Sequence, residues 1–134
     1  MFLLLSSILL STGACTKEIT REDFLGTYEC AEQSTYSYGG GNGGSMSTYT
    51  MSIIAGPSAD EIILRNLNNG EFDMPARISG KGIEFTDSGA PDSYVTGHGS
   101  LDGNILKLVY DVPEYVYSGA HYGVWHITTT CTRQ

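Results

Sequence analysis

Residues 71–87 read EFDMPARISGKGIEFTD, and this stretch decides the fold class. Its apolar side chains fall at every second position: Phe72, Met74, Ala76 and Ile78 before the connection Gly80-Lys81-Gly82, then Ile83 and Phe85 after it. A period of two predicts strands with one buried and one solvated face, and the short connection predicts an antiparallel hairpin. Pro75 cannot donate to a neighbouring strand, so it predicts an edge or a bulge.

The same pattern extends over most of the chain. Segments rich in Val, Ile, Thr, Tyr and Phe recur between turn signals, and the dipeptides Asn69-Gly70 and Asp102-Gly103 favour tight hairpins. An up-and-down antiparallel meander is the simplest topology for such a series. The eight predicted strands cover residues 27–33, 47–55, 61–67, 71–79, 82–87, 93–101, 105–112 and 123–132.

Composition and charge bound the class of protein. The chain has 134 residues, of which 40% are hydrophobic and 16% charged, so it is long and apolar enough to fold as one domain. The formal net charge is -8 and no basic run occurs. Binding to nucleic acid is therefore not expected.

The N-terminus predicts export. Residues 1–14 read MFLLLSSILLSTGA, an uncharged apolar run that is too short to cross a bilayer and has the size of a signal-peptide core. Residues 10–15, LSTGAC, resemble the bacterial lipobox, which implies diacylation of Cys15. Thr16 follows, and by resemblance to sorting in Gram-negative lipoproteins this implies an outer-membrane anchor, on the periplasmic face or the cell surface. An ordinary cleaved signal or a buried N-terminal strand are the alternatives.

The resemblance to the lipobox also bears on how the cysteines pair. The chain has three cysteines, and lipidation of Cys15 would leave Cys30 and Cys131 as a pair. In an oxidising compartment they are predicted to form a disulfide, with two buried free thiols as the alternative. Alternation points both side chains inward, and a bridge between the first and last strands suits a closed sheet.

These observations predict an all-β fold, an antiparallel eight-stranded up-and-down barrel, with a two-sheet β-sandwich as the alternative. A short helix precedes it, with Thr20 and Asp23 as a capping box and Gly26 as a left-handed end. The predicted organisation is a signal peptide over residues 1–14, a lipidated tether with the short helix over 15–25, and the barrel domain over 26–134.

Residues 24–28, FLGTY, resemble the entrance to lipocalin-like barrels, where a short helix leads into an aromatic residue that plugs the barrel floor. The resemblance implies this role for Tyr28 and implies that Arg133 packs over its ring. The order of lipobox, helix, glycine-rich segment and hairpins resembles small uncharacterised lipocalin-like lipoproteins of Gram-negative bacteria, which implies no assigned activity.

A second resemblance is to lipoprotein inhibitors of lysozyme, in which a Tyr-x-Cys near the start is bridged to a late cysteine. Residues 28–30 and Cys131 fit that outline. The inhibitors also carry a Ser-Gly-x-x-Tyr loop, and residues 88–94, SGAPDSY, have two extra residues within it.

No catalytic or metal-binding pattern is found. The chain lacks a Gly-x-Ser-x-Gly motif, and His98, His121 and His126 have no standard ligand spacing. We therefore predict a non-enzymatic protein without a metal or cofactor. His126 is read as a solvated wall residue, and the glycines beside His98 as a sign of strand bending.

Binding is the function that the sequence favours. Two predicted loops, residues 36–44 (which are glycine-rich) and 115–122, combine aromatic side chains with a flexible backbone, a composition that suits recognition of glycans or proteins. The large side chains that point inward predict a mostly filled interior, with a small apolar ligand as the alternative. They include Phe72, Met74, Phe85 and Trp125. Besides the membrane, the predicted partners are a cell-envelope protein, a glycan or a small apolar ligand in the barrel interior. The alternative functions are inhibition of lysozyme and a structural or assembly role in the envelope. The candidate binding residues are Tyr36, Tyr38, Tyr115, Tyr117, His121 and Tyr122.

Overall fold

The computed structural model of the protein describes residues 18–38, 41–71, 73–86, 95–115 and 122–134. One short helix, α1, covers Arg21–Phe24, and eight strands follow it. The strands are β1 Gly26–Tyr38, β2 Gly41–Ala55, β3 Glu61–Arg65, β4 Asp73–Ser79, β5 Gly82–Thr86, β6 Thr96–Asp102, β7 Ile105–Tyr115 and β8 Tyr122–Arg133.

The strands form a closed barrel in which each pairs with its sequence neighbours and β8 pairs with β1, all antiparallel. The predicted eight-stranded up-and-down barrel is confirmed, and the sandwich is wrong because the last strand closes on the first. Cys30 and Cys131 lie directly opposite each other across this seam and form a disulfide. The free-thiol alternative is therefore wrong as well.

The longest strands exceed their predicted length. β1 continues to Tyr38 and β2 begins at Gly41, so most of the segment predicted as a glycine-rich loop is paired strand. Glycine is a poor strand former by itself, but a neighbouring strand supplies the backbone hydrogen bonds that extend the ladder. Pro75 lies next to the end of the β4–β5 ladder, whose pairing starts at Ala76 opposite Phe85.

The tight hairpin predicted at Asn69-Gly70 is wrong. β3 ends at Arg65, and the connection to β4 contains a 3-10 helix, Leu67–Asn69. The side chain of Leu67 is completely buried, so burial of this apolar residue pulls the connection into the barrel end. The Asn66 amide donates to the carbonyl oxygen of Thr50 at 2.9 Å and holds the connection against β2.

The helix closes one end of the barrel. Phe24 and Tyr28 are fully buried, and the Tyr28 hydroxyl donates to the Phe24 carbonyl oxygen at 2.9 Å. The Arg133 guanidinium lies 5.4 Å from the centre of the Tyr28 ring and donates to its hydroxyl from Nη2 at 2.9 Å. The packing expected for Arg133 is therefore observed. The capping interaction is also present, since the Thr20 amide donates to Asp23 Oδ2 at 2.8 Å.

Gly26 does not end the helix in a left-handed conformation as predicted. Leu25 is the C-terminal cap in an extended conformation, and Gly26 opens β1 with a φ of 141°, which side chains of L-residues rarely allow. The Arg133 side chain packs over this glycine, with its Cγ 3.6 Å from where a Cβ would stand. Gly26 thus allows the chain to turn from helix to strand beneath Arg133.

The barrel interior is apolar over most of its volume. Met74 and Phe85, two of the predicted filling residues, are buried, whereas Phe72 lies outside the described residues. Buried polar side chains occur on β1 and β8, where Glu32, Ser34 and Thr129 point inward. This polar sector lies away from the helix, beyond the disulfide along both strands.

Candidate functional site at the loop end of the barrel

The two ends of the barrel differ. Helix α1 and the chain terminus after β8 lie at one end, here called the helix end. The opposite end carries the connections β1–β2, β3–β4, β5–β6 and β7–β8, because all neighbouring strands are antiparallel. We call this the loop end.

A cavity of about 240 Å³ opens at the loop end between β1, β2 and β8. All but one of its wall residues occupy inward positions of these three strands, and Asn68 comes from the 3-10 helix. The alternation of β1, β2 and β8 brings a carboxylate, three hydroxyls and an indole to one place. The wall residues are Glu32, Ser34, Ser45, Ser47, Asn68, Trp125 and Ile127.

Among the described residues of this wall Glu32 is the only charged one, and it is buried to all but 5% of its surface. Its Oε2 accepts hydrogen bonds from Tyr110 Oη at 2.6 Å and from Thr129 Oγ1 at 3.1 Å. Two donors on one oxygen suit an ionised carboxylate, and 2.6 Å is the length typical of a charge-assisted hydrogen bond. Among the described residues, no Lys, Arg or His forms an ion pair with Glu32.

Two tyrosines lie beside this carboxylate. The Tyr49 hydroxyl is buried close to Glu32 and Tyr110, but it forms no hydrogen bond of good geometry with any of the described residues. Burial, and secondly the Glu32 charge, raise the pKa of Tyr49 to about 12. Burial is also the main cause of a raised pKa at Tyr110, and the neighbouring Tyr49 and Glu32 act in the same direction. Both side chains are thus neutral donors near neutral pH.

Aromatic residues form the outer part of the site. Tyr36 and Trp125 are directly opposite on β1 and β8, and their ring centres are 4.8 Å apart. Gly123 is buried beneath Tyr36, and a Cβ at this glycine would collide with the tyrosine hydroxyl. Trp125 faces inward as predicted. Tyr36, predicted as a loop residue, instead belongs to a strand and packs on Trp125.

The other predicted binding residues are only partly described. Tyr38 ends β1 opposite Gly41, and Tyr115 and Tyr122 are partners at the ends of β7 and β8, so these three are strand residues rather than loop residues. Their side chains, like Tyr117 and His121, lie outside the described residues. Because β8 pairs with β1, the two hairpins that carry these tyrosines are neighbours at the loop end.

The histidines within the described ranges face outward. His126 Nδ1 lies 2.7 Å from Asp111 Oδ1 and is half exposed, as predicted for a wall residue. His98 is exposed on β6, and the glycines beside it serve close packing rather than a bend, since side chains at Gly97 and Gly99 would meet Phe85 and Leu108. In the described part of the chain, no three His, Cys, Asp or Glu side chains are grouped so that they could hold a metal ion.

Cys15 and residues 88–94, which carry the lipidation and lysozyme-inhibitor predictions, lie outside the described ranges. Within those ranges, no helix has the length and hydropathy needed to cross a membrane. Comparison with protein-family models and with curated proteins finds no match to this chain.

Glu32 is absent from the predicted binding residues, although the sequence carries a signal for it. Tyr28 and Cys30 were predicted to point inward, and a period of two places Glu32 on the same face. A carboxylate at an inward position is unusual because charged side chains are almost never fully buried without a partner. That conflict between pattern and residue type marks the site.

Proposed function

We propose that the protein is a lipid-anchored lipoprotein of the outer membrane whose lipocalin-like barrel binds a small molecule at the loop end of its lumen. The observation that carries this proposal is the cavity of about 240 Å³ with Glu32 in its wall. Eight-stranded barrels are wide enough to hold one small ligand. The volume of this cavity is just below the range of about 300–1,000 Å³ for sites that take drug-sized ligands, so a smaller ligand is expected.

The buried polar atoms support binding because they cost stability. Among the described residues, the buried Tyr49 hydroxyl has no hydrogen bond of good geometry and the buried Glu32 has no cation. Such groups lower the free energy of unfolding, and proteins tolerate this cost at sites where function requires it. We propose binding rather than catalysis, because a buried carboxylate that two hydroxyl donors hold in place is sufficient to bind a ligand. Catalysis would require an additional reactive group.

The test is native mass spectrometry of the full-length gene product, exported in a Gram-negative host and purified from its membranes. A co-purified small molecule is expected on the wild type. Ser34→Leu would fill the cavity and should release the molecule, whereas Thr35→Leu, on the outer face one residue away, should retain it. A wild-type protein without an adduct, or an adduct that survives Ser34→Leu, would contradict lumen binding.

The anchor is tested separately. With Cys15 lipidated, the protein should incorporate labelled palmitate and fractionate with the outer membrane, because two acyl chains suffice for stable anchoring. Cys15→Ser should abolish both the label and the membrane association. Palmitate incorporation that persists in Cys15→Ser would refute the assignment of the anchor to this cysteine.

A second candidate is recognition of an envelope protein or glycan by the two hairpins, which the pairing of β1 with β8 brings side by side at the loop end. Simultaneous replacement of Tyr115, Tyr117 and Tyr122 by Ala should then abolish capture of the partner while the folded state is retained. Capture that survives the triple variant would exclude this surface.

A further inference from the structure

We propose that the ligand of the lumen is a small organic cation, an amine with a compact apolar or aromatic body, whose charged group binds Glu32 and whose body packs against Trp125. This inference rests on the proposed lumen function and specifies the ligand class. It follows from the charge, the hydrogen bonds and the aromatic residues of one cavity.

Within the described residues, the charge of the site is unbalanced. Glu32 is 5% exposed, its Oε2 accepts two hydrogen bonds, and its carboxylate has no cationic partner among the described residues. A buried charge is costly unless it is paired. A bound ammonium group would supply the missing charge and would also donate hydrogen bonds to the carboxylate.

The side chains around Glu32 favour a donor ligand over an acceptor. Tyr110 and Thr129 already use their hydroxyl hydrogens on Oε2. Their arrangement holds the carboxylate in place, and the remaining hydrogen-bonding capacity of Glu32 itself is that of an acceptor. Ligands with a carboxylate or phosphate would place like charges together in a buried site, and this is destabilising.

The Tyr49 hydroxyl gives a second, independent indication of a ligand. The Tyr49 residue is 6% exposed, and its hydroxyl forms no hydrogen bond of good geometry within the described part of the chain, although it lies beside Glu32. A buried hydroxyl is normally satisfied by protein or by bound water. Since Tyr49 is close enough to Glu32 for the two to interact electrostatically, a polar ligand group bound to Glu32 would lie near this hydroxyl.

The aromatic wall suits the rest of such a ligand. Trp125 lines the cavity and packs on Tyr36 with ring centres 4.8 Å apart. Indole is the best of the aromatic faces for attracting a cation, and it also packs well against an apolar body. A carboxylate and an indole in one small cavity therefore select a cation with an apolar part over a fully hydrated inorganic ion.

The experiment compares three probes of one shape on the full mature protein: phenethylamine, 2-phenylethanol and 3-phenylpropionate, which are cationic, neutral and anionic at pH 7. Trp125 is the only tryptophan of the chain, so its fluorescence reports binding at this cavity directly. Phenethylamine should quench or shift this emission and should bind at least about tenfold more tightly than the other two, since a hydrogen bond to a charged group has roughly that effect.

Two variants locate the effect. Glu32→Gln keeps the shape and an oxygen for Tyr110 and Thr129, and it should weaken phenethylamine binding at least about tenfold, toward the affinity of the alcohol. Glu29→Gln is the matched control, because Glu29 is exposed on the outer face of the same strand. It should bind all three probes as the wild type does. Circular dichroism checks that both variants are folded.

The outcomes separate the two proposals. If the alcohol or the acid binds as tightly as the amine, or if Glu32→Gln binds the amine unchanged, the cation inference is wrong and lumen binding stands. If no probe changes Trp125 emission and no adduct is found by native mass spectrometry, both proposals are wrong. The comparison of probes on the wild type needs no variant, so a misfolded Glu32→Gln would not prevent the decision.

Discussion

Tyr110 Oη lies 2.6 Å from Glu32 Oε2, although the two residues are 78 positions apart and their strands are not neighbours. β8 lies between β7 and β1, so the hydrogen bond runs along the inner wall across an intervening strand. Barrel closure is what brings the two side chains together. The disulfide Cys30–Cys131 fixes this same seam one inward position below Glu32.

We expect Tyr49→Phe to increase the stability of the protein without ligand. The variant removes a buried hydroxyl that has no well-formed hydrogen bond to any residue the structure describes, and it keeps the ring that fills the core. An unsatisfied buried polar group costs about 1–3 kcal/mol, so the free energy of unfolding at pH 7 should rise by about 1 kcal/mol. Urea denaturation measures it.

Tyr28→Phe is the matched control. Its hydroxyl donates to Phe24 and accepts from Arg133, so its removal should lower the free energy of unfolding by about 1–2 kcal/mol. A destabilised Tyr49→Phe would show that the Tyr49 hydroxyl has a partner in the ligand-free protein.

Alkaline pH should destabilise the protein through Tyr49. Its pKa is raised from 10.0 to about 12 by burial and by the Glu32 charge. A tyrosine is neutral below its pKa, so this stabilisation is complete below the unfolded pKa of about 10 and is lost as the pH rises toward 12. At pH 11 the loss from Tyr49 should be about 1 kcal/mol relative to pH 8.

Urea denaturation of the wild type and of Tyr49→Phe at pH 8 and pH 11 tests this sign. The variant should lose less stability between the two pH values, because it lacks the group that ionises on unfolding. An equal loss in both proteins would mean that Tyr49 ionises as easily in the folded as in the unfolded state.

Local patterns predict the walls of this barrel well. The alternation of Met74 and Ala76 with Asp73 and Arg77 is reproduced in the burial of β4, because a strand with one buried face needs a period of two whatever its neighbours are. The Asp102-Gly103 signal also corresponds to a tight turn, in which Gly103 has a φ of 59°.

Features that depend on distant residues could not be predicted in the same way. Asn69-Gly70 is a good hairpin dipeptide, but burial of Leu67 in the barrel end selects a longer connection. The segment around Gly41 resembles a loop in composition, and pairing with β1 makes it a strand. The lumen site requires the hydrogen bond between Glu32 and Tyr110, and only closure of the barrel brings these two residues together.

The disulfide should contribute strongly to stability. It joins residues separated by 101 positions, and the chain-entropy model gives about 4–5 kcal/mol for a loop of this length. The double variant Cys30→Ala with Cys131→Ala should therefore unfold at a much lower urea concentration, with a loss of about 4 kcal/mol. Reduction of the wild type should give a comparable loss. An unchanged midpoint in the double variant would show that the ladder alone holds the β1–β8 seam.

Gly97→Ala should destabilise the barrel by overpacking. Gly97 faces inward on β6, and a Cβ there would lie 2.6 Å from Phe85 Cζ and would collide with Tyr110 Cβ. Phe85 and Tyr110 already pack edge to face with ring centres 5.8 Å apart, so neither can move freely. Overpacking of a filled core costs about 1–3 kcal/mol, and we expect a loss of this size in the free energy of unfolding, measured by urea denaturation.

Gly44→Ala is the control, since its Cβ would meet only the Ser34 carbonyl oxygen at 3.5 Å. This variant should be neutral or stabilising, because alanine restricts the unfolded chain. Equal stability of the two variants would mean that the core can rearrange around β6.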